Sequence, residues 1–345
     1  MTRLLVFRLS AMGDVALLVP VLKGVLDSGQ DVEIHLLTRA AFFPFFKGIS
    51  RLHLIEARIS DGHKGIRGLF RLYRELKKDV NPDLVIDTHK VLRTYVLDLF
   101  FRLGGHRVVW FDKGNKDKKR IIRTKVFRKL PSTVERYEQV FIRNGYPVRL
   151  PSSPVLQRGG LPDTFAKAFG EAESILIGIA PFAKHRQKIW GKEKVEKLIA
   201  LVNQEYKSKV VLFGGGKEEI ELLNRIAAKY PNCVVSANYF NLQDELNLLP
   251  RLHVMVSMDS ANMHLAALAG VPTISVWGAT HPAFGFIPYG QPVENIIQYE
   301  GDQLPCRPCS VFGNKKCIYT EIKCMEYIPA ETVFKRIQQI LSVKA

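Results

Sequence analysis

Nowhere in these 345 residues does an uninterrupted apolar run approach the ~18 residues that a membrane span requires. No leader is expected either: the apolar stretch Leu4–Leu9 is too short and runs straight into a glycine turn, as a first strand would. G-x-x-x-x-G-K-[ST] is absent, which argues against a P-loop NTPase. G-x-G-x-x-G is absent after the first strand, which argues against a dinucleotide site there. D-x-D occurs nowhere, so a metal-bridged nucleotide-sugar site would lack its usual acidic pair. Acids are scarce overall, 33 Asp/Glu against 50 Lys/Arg, for a formal charge of +17. The expected location is cytoplasmic, with a peripheral position on the inner membrane left open.

What is present is unevenly charged. Residues 1–150 hold 29 Lys/Arg against 15 Asp/Glu, whereas residues 151–345 hold 21 against 18. A basic half beside a nearly neutral half points to a polyanionic partner for one domain, such as nucleic acid, a phosphorylated glycolipid or an anionic leaflet. No nucleic-acid motif accompanies the charge, so nucleic acid is not an expected partner. The length exceeds what one core usually supports, which makes two domains the expectation.

The order of elements says more. Strands expected at Arg3–Leu9, Val32–Leu37, Leu52–Ile55, Leu84–Asp87 and Arg107–Phe111 alternate with helices at Val15–Asp27, Gly65–Lys78 and Val91–Leu103. On the last two, the apolar face reads as Ile66, Leu69, Phe70, Tyr73 and Leu76, and as Leu92, Tyr95, Val96, Leu99 and Phe100. Lys113–Lys129 interrupts the alternation with nine basic residues and one acid, the composition of a solvated loop or of an anion-docking face. After a helix at Ser132–Asn144, the Pro/Ser/Gly-rich stretch 147–162 reads as a linker. The pattern then restarts: strands at Ile175–Ala180, Lys209–Phe213, Cys233–Val235, Val254–Met258 and Pro272–Trp277, with helices between them. The fold class is therefore α/β, with two Rossmann-like doubly wound domains, 1–155 and 156–345, and a ligand cleft where their strand ends face each other. The terminal helix, 330–343, can pack back on the first domain.

Four places carry chemistry. Ser10-Ala11-Met12-Gly13-Asp14 is a strand end that opens a helix, where Asp14 is either a helix cap or a general base. His185-Arg186-Gln187-Lys188-Ile189-Trp190 is a basic loop in which Lys188 is placed to neutralise a phosphate; a merely solvated loop reads as well. Gly214-Gly215-Gly216-x-Glu218 lets backbone approach a ligand and offers a carboxylate for ribose hydroxyls, although triple glycine also makes plain turns. Asp259-Ser260-Ala261-x-x-His264 lies between a buried strand and a helix, where first-turn N–H groups and the dipole favour anions. Apart from these, Cys306-x2-Cys309-x7-Cys317-x6-Cys324 holds four of the five cysteines. In a reducing compartment such a set suits Zn2+ better than disulfides, yet only one C-x-x-C is present, and unliganded thiols in a small loop remain the alternative.

Taken together, these residues resemble the bacterial lipopolysaccharide heptosyltransferases, glycosyltransferase family 9. The resemblance covers most of the chain and rests on Ser10–Val15, Lys188-Ile189-Trp190, Phe213-Gly214 with Glu218, and Asp259–Ala267 running on to Trp277-Gly278-x-Thr280. It implies a GT-B fold, with the acceptor on the first domain and the nucleotide sugar on the second, and catalysis without a metal or other required cofactor. Asp14 is then the implied base, with Ser10, Met12 and Gly13 on the acceptor loop. Lys188 offsets charge on the departing diphosphate, Glu218 meets the adenosine ribose, and Ser260 and Ala261 hold phosphate with His264 bracing them. Asp259, a carboxylate beside a diphosphate, is expected on sugar hydroxyls or as a helix cap. The implied donor is ADP-heptose and the implied acceptor a phosphorylated Kdo–lipid A at the inner membrane surface. Phe182-Ala183-Lys184-His185 departs from the family, which often has small hydroxyl residues there, so Lys184 or His185 is left to replace those contacts. The alternatives are a transferase of the same fold with another nucleotide sugar or acceptor and, more remotely, a non-enzymatic polyanion binder.

Overall fold

Runs of Val, Ile and Leu that are apolar on both faces can be buried only in a sheet covered on both sides, which is the setting of parallel strands. The computed structural model has two such sheets and describes residues 1–156, 159–161, 163–170, 174–301 and 303–343. Residues 157, 158 and 162 of the expected linker lie outside the described residues.

The first stretch of chain forms β1 (Thr2–Phe7), α1 (Met12–Ala16), α2 (Val19–Leu26), β2 (Val32–Thr38), β3 (Leu52–Glu56), α3 (Gly65–Asp79), β4 (Leu84–Asp87), α4 (Leu92–Leu103) and β5 (Arg107–Trp110). Next come α5 (Asn115–Thr124) and α6 (Thr133–Ile142), the latter started by a Ser132–Glu135 capping box. The sheet order is β3-β2-β1-β4-β5, all parallel. The helix expected over Val15–Asp27 is two helices, because Pro20 in the first turn of α2 cannot continue a helix from α1.

The second stretch forms α7 (Thr164–Phe169), β6 (Ile175–Ala180), α8 (Lys192–Glu205), β7 (Ser208–Leu212), α9 (Lys217–Ala227), β8 (Cys233–Val235), α10 (Leu242–Leu248) and β9 (Val254–Met258). It continues through α11 (Ala261–Leu268), β10 (Thr273–Trp277), β11 (Ile296–Gln298), α12 (Lys323–Glu326) and α13 (Ala330–Ser342). Its six parallel strands run β11-β10-β9-β6-β7-β8. The three-residue strand β11 is too short to be legible in the sequence.

The chain divides into two compact units, Met1–Gly114 with Pro131–Val155, and Asn115–Leu130 with Leu156–Ala345. From its composition, the basic stretch after Lys113 is expected to be a solvated loop or an anion-docking face of the first domain. Instead it is helical over α5 and belongs to the second unit, because Ile121 and Leu130 are buried against Ala283 and Phe284. Leu130 N–H also donates to the Ala283 carbonyl at 3.0 Å, and the Lys118 ammonium lies 4.3 Å from the Phe286 ring centre. The terminal helix α13 is also a member of the second unit: Val333, Ile337 and Leu341 join that unit's core.

Helix α4 departs furthest from its expected register. It buries Thr94, Leu97, Asp98 and Phe101 and exposes Leu92, Tyr95 and Leu99. The cause is polar. The Asp98 carboxyl accepts Trp110 Nε1–H at 2.7 Å, and burial, followed by the neighbouring Asp87 carboxylate, pushes it up to about 8. Between the ordinary carboxyl range and about pH 8, folded protein therefore keeps a proton that the unfolded chain has released, so stability should fall as pH rises through that window. Asp98→Asn reproduces the protonated acid. Urea titrations at pH 5, 6, 7 and 8 should show the variant losing less stability than the wild type over that range.

Candidate active site

In a doubly wound sheet the crevice opens at the carboxyl ends of the two strands where the order reverses. In the first sheet these are β1 and β4, paired Phe7 with Asp87. The loops leaving them carry Ser10–Asp14 and Thr88–Lys90.

The anchor of this place is Arg8. It is 5% exposed, and one Nη donates to the Thr88 carbonyl while the other meets Asp14 Oδ2 at 2.6 Å. The guanidinium lies about 6 Å from the ring centres of Phe111 and Tyr137. Burial opposes its charge, but Tyr137 and Asp14 outweigh that, and its pKa stands above the ordinary value. The Asp14 side chain is 36% exposed, and the Tyr137 hydroxyl donates to the Asp14 carbonyl at 3.3 Å, which fixes the backbone beneath it. Asp14 is thus no helix cap: the N-cap of α1 is Ala11.

Ser10 is half-buried, with Oγ 3.2 Å from His89 Nε2. Burial, with Arg8 and Lys113 nearby, drives His89 down to about 3, so the ring is neutral at physiological pH. Asp87 holds its loop by accepting the His89 and Lys90 N–H groups at 2.7 and 2.9 Å. Lys113 Nζ donates to the Lys90 carbonyl at 2.8 Å. Met12 is half-buried at the start of α1, and Gly13 is buried. Arg8, Asp87 and His89 escaped the sequence reading. Arg8 directly follows the continuous apolar run of β1 and has no motif of its own, and a lone Asp-x-His after a strand has no distinctive spacing.

In the second sheet the reversal falls between β6 and β9, paired Ala180 with Ser257. Lys188 follows β6 and Asp259 follows β9; their side chains meet, Nζ to Oδ2, at 3.1 Å. The Thr280 hydroxyl, beyond the end of β10, donates to the same oxygen at 2.8 Å. Asp259 therefore neither caps a helix nor stands as a bare charge beside a phosphate; Lys188 and Thr280 hold it. An ammonium has three N–H groups, so Lys188 can hold Asp259 and still meet an anion.

Ser260 occupies the N-cap of α11, but its side chain makes no cap bond and its hydroxyl lies 3.2 Å from that of Ser257. The first-turn N–H groups of α11 at Ala261 and beyond keep the positive end of the helix dipole uncovered by that side chain. His264 is buried one turn into α11. Arg307 fixes the loop that brings Thr280 in: Nε donates to the Gly278 carbonyl at 2.7 Å, and one Nη to the Thr280 carbonyl at 3.3 Å. No motif marks Arg307 in the sequence.

The remaining expected residues are placed less tightly. Glu218 is exposed in the first turn of α9, whereas Glu219 closes the glycine turn by accepting Gly215 N–H at 2.9 Å. Lys184 is exposed, and His185, half-buried beside Lys188 and Lys184, is shifted toward its neutral form, by burial first. Trp190 is a structural anchor, buried, with Nε1–H donated to the Ile328 carbonyl at 3.1 Å.

The four C-terminal cysteines face one another. Burial, with Cys306 beside it, pushes Cys309 up to about 11, and burial pushes Cys324 up to about 12. A tetrahedron of ~2.3 Å Zn–S bonds needs sulfurs about 3.8 Å apart. The four-thiol donor set suits zinc, and among the described residues no three of these sulfurs lie within 4.8 Å of one another. The one trio that close among the described residues is Glu33, His35 and His53, on β2 and β3 toward the amino ends of the strands, opposite the candidate site. Arg3 also pairs with Glu33 there.

The family model described as glycosyltransferase family 9 (heptosyltransferase) matches residues 69–316. Lipopolysaccharide heptosyltransferase 1 of Pseudomonas aeruginosa is 28% identical over 261 residues, which is 73% of this chain and 68% of that protein. Among solved structures, the glycosyl transferase family 9 protein of Veillonella parvula matches with a TM-score of 0.74 at 20% identity, over 100% of this chain and 98% of the other. The E. coli heptosyltransferase WaaC with ADP matches at 0.66 and 20%, over 98% and 100%. The family match begins beyond Asp14, whose role rests on the geometry around it.

That geometry makes a stability prediction. Asp14→Ala strands the buried Arg8 charge, whereas Asp14→Asn keeps a side-chain acceptor for it. Because Asp14 is partly solvated, the alanine variant should unfold at about 2 kcal/mol less than the asparagine variant, as read by urea titration.

Proposed function

Because this chain belongs to glycosyltransferase family 9, the heptosyltransferases, we propose that it moves a heptose from ADP-heptose to a phosphorylated Kdo–lipid A-type acceptor at the inner membrane surface. The observation that carries this reading is the Lys188–Asp259–Thr280 constellation beside the α11 N-terminus, at the switch point of the second sheet. A diphosphate needs a cation and convergent N–H donors, and this place offers both.

In the proposed reaction, the acceptor hydroxyl gives its proton to Asp14 Oδ1 as its oxygen bonds to the anomeric carbon. Arg8 engages Oδ2, and Oδ1 is the oxygen assigned to the proton. The bond from the anomeric carbon to the diphosphate oxygen breaks, ADP leaves from the opposite face, and configuration inverts. Lys188 and the α11 N–H groups stabilise the charge gathering on the departing phosphate. Asp259 keeps the ammonium aimed, Glu218 is assigned to the adenosine ribose, and His264 supports the first turn of α11. Neutral His89 and Ser10 are assigned to acceptor hydroxyls, and the basic first-unit surface to acceptor phosphates and carboxylates. None of the four cysteines takes part in these steps.

The loop Phe182–His185 offers no hydroxyl, so another nucleotide sugar is the reading to test against. Purified protein incubated with ADP-heptose and a Kdo–lipid A acceptor should release ADP faster than it releases nucleotide from UDP- or GDP-sugars. No ADP release from any heptose donor would overturn the assignment. Asp14→Asn should lower kcat by roughly 10²–10⁴-fold with ADP binding retained, and a near-normal rate would remove Asp14 as the base. Lys188→Ala should weaken ADP binding by roughly tenfold or more in calorimetry, as expected for a lost charge-assisted phosphate contact.

A further inference from the structure

Helix α4 turns its apolar side outward. Leu92, Tyr95, Leu99 and Leu103, at positions i, i+3, i+7 and i+11, are 81, 43, 54 and 77% exposed. On the neighbouring α3, Ile66 and Phe70 are 70 and 46% exposed. The Phe70 ring meets Phe100 of α4 edge-on at 5.3 Å, so the apolar surface continues from one helix to the other. Exposed apolar residues normally lie scattered and singly; six on two adjoining helices form a patch that marks an interaction site.

The rim of this patch is cationic. Along α3, Arg67, Arg71, Arg74, Lys77 and Lys78 are exposed; α4 adds Arg93 and Arg102. The acids on these helices are few: Asp79 is exposed, Glu75 is paired with His63 at 3.2 Å, and Asp98 is buried. Arg102 stacks on Trp110 at 4.0 Å, an indole 36% exposed beside the patch, and such cation–aromatic pairs suit a boundary between apolar and polar media.

We propose that the α3–α4 face is a membrane-docking surface, which seats its apolar stripe at the headgroup–acyl boundary of an anionic leaflet. This rests on the reading that the acceptor is a lipid-borne anion, and it adds where the enzyme meets that lipid. An apolar stripe edged with Lys and Arg is the pattern of an interfacial helix, in which buried area and attraction to anionic headgroups act together. A protein partner would have to be both apolar and strongly acidic to fit the same face. The chain also links the surface to chemistry: Lys90 and Val91 join His89, in the candidate site, directly to Leu92 at the start of α4. Docking by this face brings the loops that end β1 and β4 to the level of the lipid headgroups.

The test compares full-length wild type with the triple variant Leu92→Ser, Leu99→Ser, Leu103→Ser. All three side chains are exposed, so the fold is expected to survive, with circular dichroism and thermal melting as the check. Wild type should co-sediment with phosphatidylcholine/phosphatidylglycerol vesicles, release as salt rises, and leave pure phosphatidylcholine vesicles largely in solution. The triple variant should lose binding to the anionic vesicles by roughly tenfold or more. It should keep transfer to a delipidated, water-soluble acceptor while losing transfer to an acceptor embedded in vesicles. Equal vesicle binding by both proteins would overturn the proposal. So would a wild-type dimer that the variant converts to monomer without any vesicle binding, since the face would then be a self-interface. Wild type that glycosylates the soluble acceptor but ignores vesicles refutes the surface and leaves the function standing. Vesicle binding that the variant loses, without any transfer from ADP-heptose, supports the surface and refutes the function.

Discussion

A parallel strand can be joined to its neighbour only by a crossover, and crossovers in proteins are right-handed. A chain that starts in mid-sheet, adds strands outward on one side, and then returns to add them on the other must place its helices on opposite faces. The loops leaving the two central strands therefore diverge, and the gap between them is the one opening the sheet cannot fill with its own connections. Both sheets obey this constraint, with β1 and β4 central in one and β6 and β9 in the other. Asp14, His89, Lys188 and Asp259 follow those four strand ends, and they inherit their positions from handedness before any side chain is considered.

Side chains then decide what each gap can hold, and both gaps do it with a cation–carboxylate pair. Arg8 with Asp14 and Lys188 with Asp259 leave little net charge at either place. The two pairs differ in which member is the more accessible. In the first unit the cation is buried and the carboxylate reaches solvent, so a basic oxygen is presented. In the second unit both members are mostly covered, and the ammonium shares its carboxylate with Thr280 while the helix end lies beside it. Arg307, half-buried and bonded to backbone carbonyls, acts at a distance by fixing the loop that carries Thr280. The same pairing that limits the cost of buried charge makes one place suited to taking a proton and the other to receiving a phosphate.

Much of this was legible from residue patterns. Strands such as Leu84–Asp87 and Val254–Met258 announce themselves as short apolar runs, and Asp259–Ala267 carries spacing that few unrelated chains share. Long-range geometry was not legible. Asp259 looks like a lone acid until Lys188, 71 residues earlier, closes on it. The basic stretch after Lys113 looks like solvated loop, because the aliphatic residues that seat it in the second unit, Ile121 and Leu130, are too few to form a periodic signal. Glu218 and Glu219 are adjacent and chemically identical; only backbone direction separates the exposed one from the one that closes the glycine turn.

Helix α4 shows how a wrong inference from periodicity can be informative. It has two faces with helical spacing: Leu92, Tyr95, Leu99 and Leu103 on one side, and Thr94, Leu97, Asp98 and Phe101 on the other. The hydrophobic effect alone selects the first for the core, and the structure buries the second. A buried acid that must keep its proton, and leucines left in water, both work against stability. Asp98 is tied to Trp110 and lies beside Asp87, and Asp87 in turn holds the loop bearing His89. The polar side of α4 thus faces inward where it supports the strand-end loop, and its apolar side is released outward. A register that is unfavourable for a protein surrounded by water alone becomes favourable once part of its surroundings is lipid, because the exposed leucines are then themselves buried.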